Sequence, residues 1–357
     1  MNRLPFPRFL RLVLIVLTLH AADATAHGRS DHFTPKYRVT LVSAANPQQR
    51  FSPYGLNNRG EIVGTLSDEG GYNPAIWRDG HIVEIFPPIP DFQERNFAVA
   101  INDRGDVVGT HEFPGGVTSF FWAPQGTLDM GAPPGDAGFV IAKGINNRRQ
   151  IIFDTAFPWG NFLWERGTFT PLESPPGASS MDTLLTALND FGEVVGQGTF
   201  EEGTRALLWR EGTVEILGVL PGTNMSTARD INNWGDIVGS SFTTGVAERA
   251  FLWREGEMKA LPLLRRDPRG VNSAQAINDW GQIVGYESNL DDLGNQTAVL
   301  WQHRRALPLS KLVKREYAHV TFTSAVMINN RGQIVAIGFD SRIAEQTQHV
   351  YLLTPIF

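Results

Sequence analysis

The residues with the most chemistry to offer lie in polar segments of the C-terminal third of the chain. Asn289, Asp291, Asp292 and Asn295 place four oxygen-bearing side chains close together in the sequence. Carboxylate and amide oxygens are the ligands that Ca²⁺ takes in proteins, and several are needed in one loop. We interpret these residues as a solvated polar loop, with calcium binding as the alternative.

Two further polar segments lie nearby in the sequence. Arg265 and Arg266 begin a basic cluster, while Tyr317 and His319 belong to a long polar segment over residues 311–323. Irregular segments carried on a regular frame are where proteins most often place binding residues. We therefore predict that these four residues and the 289–295 segment form a binding face for a protein or a glycan.

Nothing in the sequence points to a particular enzyme. It contains no G-x-S-x-G, no H-E-x-x-H, no phosphate-binding loop and no cysteine, so we predict no catalytic residue, cofactor or metal. The net charge of −6 argues against nucleic acid as a partner. We expect a non-catalytic binding protein, and the alternative is a hydrolase or lyase that acts on polysaccharide through the same loops.

An internal repeat determines the elements that position these residues. The chain contains seven copies of one short run, of which residues 231–239, INNWGDIVG, are an example. The first asparagines of the copies are Asn57, Asn102, Asn146, Asn189, Asn232, Asn278 and Asn329. A second signature follows each run and ends at Trp77, Trp122, Trp164, Trp209, Trp253, Trp301 and, in the seventh copy, Leu353.

Each copy predicts four short β-strands, which we name a, b, c and d. Strand a precedes the asparagine, and the Asn-Asn/Asp-x-Gly run is typical of a tight turn into strand b. Strand c ends at the tryptophan, and a second tight turn such as residues 254–256 leads into strand d. Four strands in about 44 residues are typical of one blade of a β-propeller.

The two ends of the repeat array complement each other. The seventh copy ends at its strand c, and residues 37–43 have the pattern of a strand d with no copy in front of it. We predict an all-β, seven-bladed β-propeller of four-stranded blades over residues 37–357, closed by pairing of the N-terminal strand with the C-terminal blade. An open β-solenoid or sandwich array is the alternative. In the propeller, the b–c and d–a loops share one face, where we expect the partner to bind.

The repeated aromatic and asparagine positions have structural interpretations. We expect the strand-c tryptophans to form the core between blades, and the Asn-Asp-x-Gly runs to be turns rather than calcium loops. Trp234 and Trp280 lie inside such turns, where they could stack on a ligand or pack on a neighbouring blade. Repeat three has Arg149 where the others have glycine, which indicates either simple sequence drift or a distorted blade that admits a ligand.

Residues 249–256, RAFLWREG, together with residues 231–239, resemble the HAF repeat of bacterial extracellular proteins. The resemblance covers about residues 37–357. The histidine of the His-Ala-Phe tripeptide is replaced by Arg205, Arg249 and Thr297 in three copies, and it is present at His349. The resemblance implies export and a propeller-like fold, and it implies no activity.

The N-terminus has the pattern of a secretory signal peptide. Arg3, Arg8 and Arg11 precede the apolar run 12–19, and Ala24-Thr25-Ala26 follows as a cleavage site. A membrane anchor is the alternative, but this apolar run is too short to span the hydrocarbon of a bilayer. We predict a signal peptide at 1–26, a leader segment at 27–36 and a secreted or periplasmic monomer with no membrane span after cleavage.

Overall fold

The computed structural model describes residues 36–43, 49–68, 71–84, 95–128, 130, 133, 135, 138–156, 159–243, 247–265, 267, 269–343 and 347–356. The predicted signal peptide, the leader up to residue 35 and Arg266 lie outside these residues. All described residues belong to one compact unit, Pro35–Phe357. Within them, no helix combines the length and the apolar character needed to cross a membrane.

Strands dominate this unit. The first strand is β1 (Lys36–Val42), and copies one to three contribute β2 (Arg50–Leu56), β3 (Ile62–Asp68), β4 (Gly71–Arg78), β5 (His81–Glu84), β6 (Arg95–Ile101), β7 (Val107–Phe113), β8 (Gly116–Ala123), β9 (Gly126–Leu128), β10 (Val140–Ile145), β11 (Ile151–Ala156), β12 (Trp159–Glu165) and β13 (Thr168–Pro171). Copies four to seven contribute β14 (Leu184–Leu188), β15 (Val194–Phe200), β16 (Gly203–Arg210), β17 (Thr213–Ile216), β18 (Met225–Ile231), β19 (Ile237–Thr243), β20 (Ala247–Arg254), β21 (Glu257–Ala260), β22 (Gly270–Ile277), β23 (Ile283–Asn289), β24 (Asp292–Gln302), β25 (Arg305–Pro308), β26 (Val320–Ile328), β27 (Ile334–Asp340) and β28 (His349–Ile356). Short 3-10 helices cover Ser180–Asp182, Leu309–Lys311 and Arg315–Tyr317.

The strands pair as four-stranded antiparallel sheets in the predicted order a, b, c, d. Copies three to six each form a separate sheet, and one parallel bridge between Tyr72 and Arg95 joins the sheets of copies one and two. In the seventh copy, β1 lies beside β28 in the place of strand d, with Val39 opposite Leu353. The chain is therefore an all-β protein built from repeated four-stranded sheets.

The turns between strands a and b have the chemistry that the sequence predicts. In the first copy, the Gly60 N–H donates to the Asn57 carbonyl oxygen at 3.1 Å, and Gly60 has a φ of 84°. Glycine adopts this left-handed backbone without steric cost. In repeat three, Arg149 adopts the same conformation with a φ of 64°. The sheet of repeat three still has four strands and the same bulge in strand a as the other copies, so its blade is not distorted.

The core lies between neighbouring sheets, as predicted for the strand-c tryptophans. Trp253 is 2% exposed, and Trp122 is half-buried while the other four are buried. One apolar cluster joins Val238 of copy five to Trp301 of copy six. Another joins Leu352 of copy seven to Trp77 of copy one, so the last and first copies also share a core. Burial of such large apolar surfaces is the main stabilising contribution in a chain without disulfides.

The 289–295 segment differs from the expected loop. Strand β23 continues to Asn289 and β24 begins at Asp292, so only two residues form the turn, and Asn289 lies opposite Asp292. Hairpin pairing satisfies backbone groups that a free loop would leave to solvent. The polar residues therefore project from an extended hairpin.

Candidate functional site

The structure brings several of the predicted binding residues to one cleft. This loop-face cleft has a volume of about 610 Å³ and lies where the d–a connection before β22 meets the hairpin of β23 and β24. Its lining includes four predicted residues, Arg265, Asn289, Asp292 and Asn295. The b–c and d–a segments thus meet on one side of the sheet, as the predicted topology requires.

Some polar groups of the loop-face cleft are already engaged. The Asn289 side-chain amide donates to the Asp267 carboxylate at 2.6 Å, and the Glu287 carboxylate accepts the Leu264 N–H at 2.7 Å. Burial raises the pKa of Glu287. Among the described residues, no hydrogen bond engages the side chain of Asp292 or Asn295, and both are exposed. These two groups are therefore available to a ligand.

The other predicted residues that the structure describes, Asp291, Tyr317 and His319, are not among the lining residues of this cleft. Asp291 forms an exposed ion pair with Arg269 at 2.6 Å. Tyr317 is half-buried and packs against the core of copies six and seven. The His319 Nε2 atom lies 3.7 Å from the Asp340 carboxylate. Hydrogen bonds from Arg342 to the same carboxylate lower the pKa of Asp340 to about 2. Tyr317 and His319 therefore form contacts that pack the d–a segment between copies six and seven against the fold.

A second region, the turn face, is formed by the seven a–b turns. In each turn, the first asparagine donates from its side-chain amide to the main-chain carbonyl of the corresponding asparagine in the next copy, as Asn57 does to Asn102 at 3.0 Å. The series runs through all seven copies and ends with Asn329 donating to Asn57 at 2.9 Å. These asparagines therefore link neighbouring copies.

The second turn position adds another set of links. These residues are Asn58, Asp103, Asn147, Asp190, Asn233, Asp279 and Asn330. Each backbone N–H donates to the side-chain oxygen of the next, and each aspartate also accepts from the amide groups of both neighbouring asparagines. Asparagine and aspartate alternate along the chain because an amide donor matches a carboxylate acceptor, and two asparagines meet where Asn330 donates to Asn58. The alternation is visible in the sequence, although these residues were not predicted to link the copies.

A central cavity of about 230 Å³ lies inside these turns and is lined by their asparagines and aspartates. Asp230 also lines it and accepts the N–H groups of Ile231 and Ile277 at 2.9 and 2.8 Å. Burial, and secondarily the nearby Asp279, raise the pKa of Asp230 to about 7, against the effect of those two hydrogen bonds. Among the described residues, no group of three His, Asp or Glu side chains is placed to hold a metal ion.

The third turn position faces outward. In chain order it holds Arg59, Arg104, Arg148, Phe191, Trp234, Trp280 and Arg331. Three consecutive copies thus present aromatic side chains, which we name the aromatic arc: Phe191, Trp234 and Trp280. The two tryptophans are 74% and 76% exposed. Their indole N–H groups donate to the carbonyl oxygens of Asp279 and Asn330 at 2.9 and 2.8 Å, so each ring contacts the next copy and keeps an exposed surface.

Comparisons with known proteins identify the class of fold. No protein-family model and no curated protein sequence matches the chain. The structure is similar to a streptogramin B lyase, at 12% identity and a TM-score of 0.54 over 90% of this chain and 98% of that one. It is also similar to YCF48 bound to a D1 peptide, at 12% identity and a TM-score of 0.51 over 92% and 98%.

A third similar structure is an acylaminoacyl peptidase from Pyrococcus horikoshii, at 12% identity and a TM-score of 0.54. That match covers 86% of this chain and 52% of the peptidase, so it spans about half of the larger protein. At such low identity these likenesses show the fold alone. Together with the repeated four-stranded sheets, they make this chain a β-propeller.

Proposed function

We propose that this chain is an exported, non-catalytic, seven-bladed propeller of the HAF repeat type that binds a polypeptide partner in the loop-face cleft. The pairing of β1 with β28 and the hydrogen bond from Asn329 to Asn57 support a closed ring of seven blades. The apolar cluster shared by the last and first copies supports the same closure. The N-terminal sequence pattern supports export to the periplasm or the outside of the cell.

The observation that carries the binding proposal is the polar loop-face cleft. It presents the carboxylate of Asp292, the amide of Asn295 and the guanidinium of Arg265 without a complete set of partners of their own. An extended polypeptide offers main-chain donors and acceptors together with side chains of both charges, which complement such a mixed lining. The structurally similar protein YCF48 is bound to a D1 peptide in its own structure. A glycan at this cleft is the other outcome that the experiment can give.

The arrangement of carboxylates supports a binding role rather than catalysis. Each aspartate at the second turn position accepts hydrogen bonds from its neighbours on both sides, so its oxygens are committed to the fold. Catalytic carboxylates must instead face a substrate with a free oxygen.

Selection of a random peptide library on the purified chain tests the proposal. We expect selected peptides to lose about tenfold or more in affinity with Asp292→Ala combined with Asn295→Ala, since one charge-assisted hydrogen bond is worth at least that much. Asp291→Ala is the matched control, because this neighbouring carboxylate lies outside the cleft. Equal binding by the double variant would refute the proposal, as would a glycan array on which sugars alone require Asp292.

Asp230 favours one second candidate, a polysaccharide hydrolase or lyase working at the central cavity. Both Asp230 oxygens accept backbone N–H groups, but a carboxyl group with a pKa of about 7 is partly protonated near neutral pH and can serve as a general acid by donating that proton. Release of new reducing or unsaturated chain ends from polysaccharides by the wild type, abolished in Asp230→Asn, would support catalysis. If none of the polysaccharides tested releases such products, the result would contradict catalysis and favour the binding function.

A further inference from the structure

We propose a second ligand site on the turn face, where Trp234 and Trp280 stack against the sugar rings of a glycan. Both side chains are about three-quarters exposed, whereas the strand-c tryptophans are buried or half-buried. Indole is a large apolar group whose burial is strongly favourable, and a fold gains nothing by leaving two of them in water on adjacent copies. Exposed aromatic surface of this kind marks an interaction site.

The two rings are held in place before any ligand arrives. The indole N–H of Trp234 donates to the Asp279 carbonyl, and that of Trp280 donates to the Asn330 carbonyl. Each bond fixes the polar edge of a ring to the next copy. A ligand that stacks on these rings therefore immobilises little further side-chain freedom on binding.

A cleft of about 750 Å³ begins beside Trp280. It is lined by the amide side chains of Gln282, Gln302, Gln333 and Asn330, and by Arg331. None of its lining residues is an aspartate or a glutamate. The cleft therefore combines one flat aromatic wall with several amide groups. The amides of Asn330, Gln282 and Gln333 already form hydrogen bonds within the fold, and each keeps a further donor or acceptor position.

This combination matches a sugar better than a peptide. A pyranose ring has a face of C–H groups that is attracted to the negative face of an indole, while its hydroxyl groups lie at the edge and exchange hydrogen bonds with amides. A peptide that used the same tryptophans as its anchor would need an enclosed pocket around them, whereas both rings are about three-quarters exposed. Arg331 is exposed and has no ion-pair partner among the described residues, so a sugar carboxylate should strengthen binding.

The probes are chitohexaose, cellohexaose and an oligogalacturonate, titrated into the purified full chain by calorimetry and tryptophan fluorescence. We expect at least one to bind, and Trp234→Ala combined with Trp280→Ala to weaken it about tenfold or more, the scale seen for flat ligands stacked on aromatic side chains. Arg331→Gln should weaken the oligogalacturonate more than the neutral sugars.

Two variants control for damage to the fold. Trp159→Ala removes another exposed tryptophan, at the b–c hairpin of copy three, and should leave binding unchanged. Trp280→Phe loses the N–H bond to Asn330 but keeps an aromatic face, and should retain part of the affinity. The proposal is overturned if none of the three sugars binds at millimolar concentration, if the double variant binds normally, or if Trp159→Ala loses as much affinity.

Discussion

The first asparagine of each copy is fully hydrogen-bonded inside the protein. In copy four, the Asn189 oxygen accepts the N–H groups of Phe191 and Glu193, while its amide donates to the Glu193 carboxylate and the Asn232 carbonyl. No other side chain of this size offers two donors and two acceptors at once. The residue four positions after this asparagine must carry a side-chain oxygen, because that oxygen accepts from the asparagine amide. It is Glu, Asp or Gln in every copy.

This arrangement predicts that Asn189→Asp destabilises the protein more than Asn278→Asp. Aspartate at 189 would face the Glu193 carboxylate, whereas aspartate at 278 would face Gln282, whose amide can rotate to donate. We expect the free energies of unfolding at pH 7 to differ by about 1–2 kcal/mol, the cost of one buried unsatisfied group. Urea unfolding of the two variants measures this, and equal losses would contradict it.

Asp230 predicts a specific dependence of stability on pH. Its folded pKa of about 7 lies above the ordinary pKa of 3.8 for aspartate, so the folded protein binds the proton more tightly than the unfolded chain. The resulting stabilisation is complete below the unfolded pKa and is lost as the pH rises through the folded value. The difference in unfolding free energy between wild type and Asp230→Asn should therefore fall between about pH 4 and pH 8. A flat difference would contradict it, and Asp182→Asn at an exposed position controls for loss of one charge.

At the scale of the element, the tight turns depend on left-handed residues. In copies one, three, four and five, the c–d turn places an acidic or basic residue and then a glycine at positive φ, as at Glu255 and Gly256. In copy six, the second position is Arg304 with a φ of 61°. The a–b turn of repeat three likewise has Arg149 in place of glycine, but its guanidinium forms two hydrogen bonds, at 2.8 and 2.9 Å, with the carboxylate of Asp106 in copy two.

These two arginines predict opposite effects of the same substitution. Arg304→Gly should stabilise the protein by about 0.5–1 kcal/mol, because it removes a strained backbone and no hydrogen bond of the arginine side chain. Arg149→Gly removes similar strain but leaves the buried Asp106 without its cation, so we expect a net loss of about 1 kcal/mol. If Arg149 were simple sequence drift, the same substitution would instead stabilise the protein. Thermal unfolding of both variants decides between these outcomes, and a gain in both would refute the role of Asp106.

At the scale of the whole molecule, the stability of the fold depends on the pairing of its first and last strands, β1 and β28. Strand β28 lies between β27 and β1, and its residues pack against copy one. A chain truncated after Ile337 loses β28 and the end of β27. Strand β1 then has no antiparallel partner, and the rest of β27 keeps only its pairing with β26. Each pair of neighbouring copies shares an apolar cluster. This loss should therefore remove the cooperative unfolding transition of the whole protein rather than weaken one blade.

Circular dichroism and urea unfolding of the truncated chain measure this effect. Deletion of β1 alone should produce a smaller loss, because β28 keeps its pairing with β27. A chain that ends at Ile356 keeps every strand and serves as the control. A cooperative transition near that of the full chain after truncation at Ile337 would contradict the dependence of the two ends.

The sequence determined the repeat, the four strands of each copy, the tight turns and the buried tryptophans. These features follow from local patterns: β-branched runs, Asn-x-Gly turn chemistry and the recurrence of one unit. Part of the candidate site followed too, because Arg265, Asn289, Asp292 and Asn295 lie on loops that the hairpin topology brings to one side.

Only the tertiary structure decided which polar residues are free and which are engaged. Asp291 and Asp292 are adjacent and chemically identical, yet one pairs with Arg269 and the other lines the loop-face cleft. Trp234 and Trp253 belong to the same copy, and one is exposed while the other is buried. The physical reason is that hydrogen bonds and burial depend on residues that are distant in the chain, such as Arg269 for Asp291 and Asp279 for Trp234, and no local pattern specifies what those residues present.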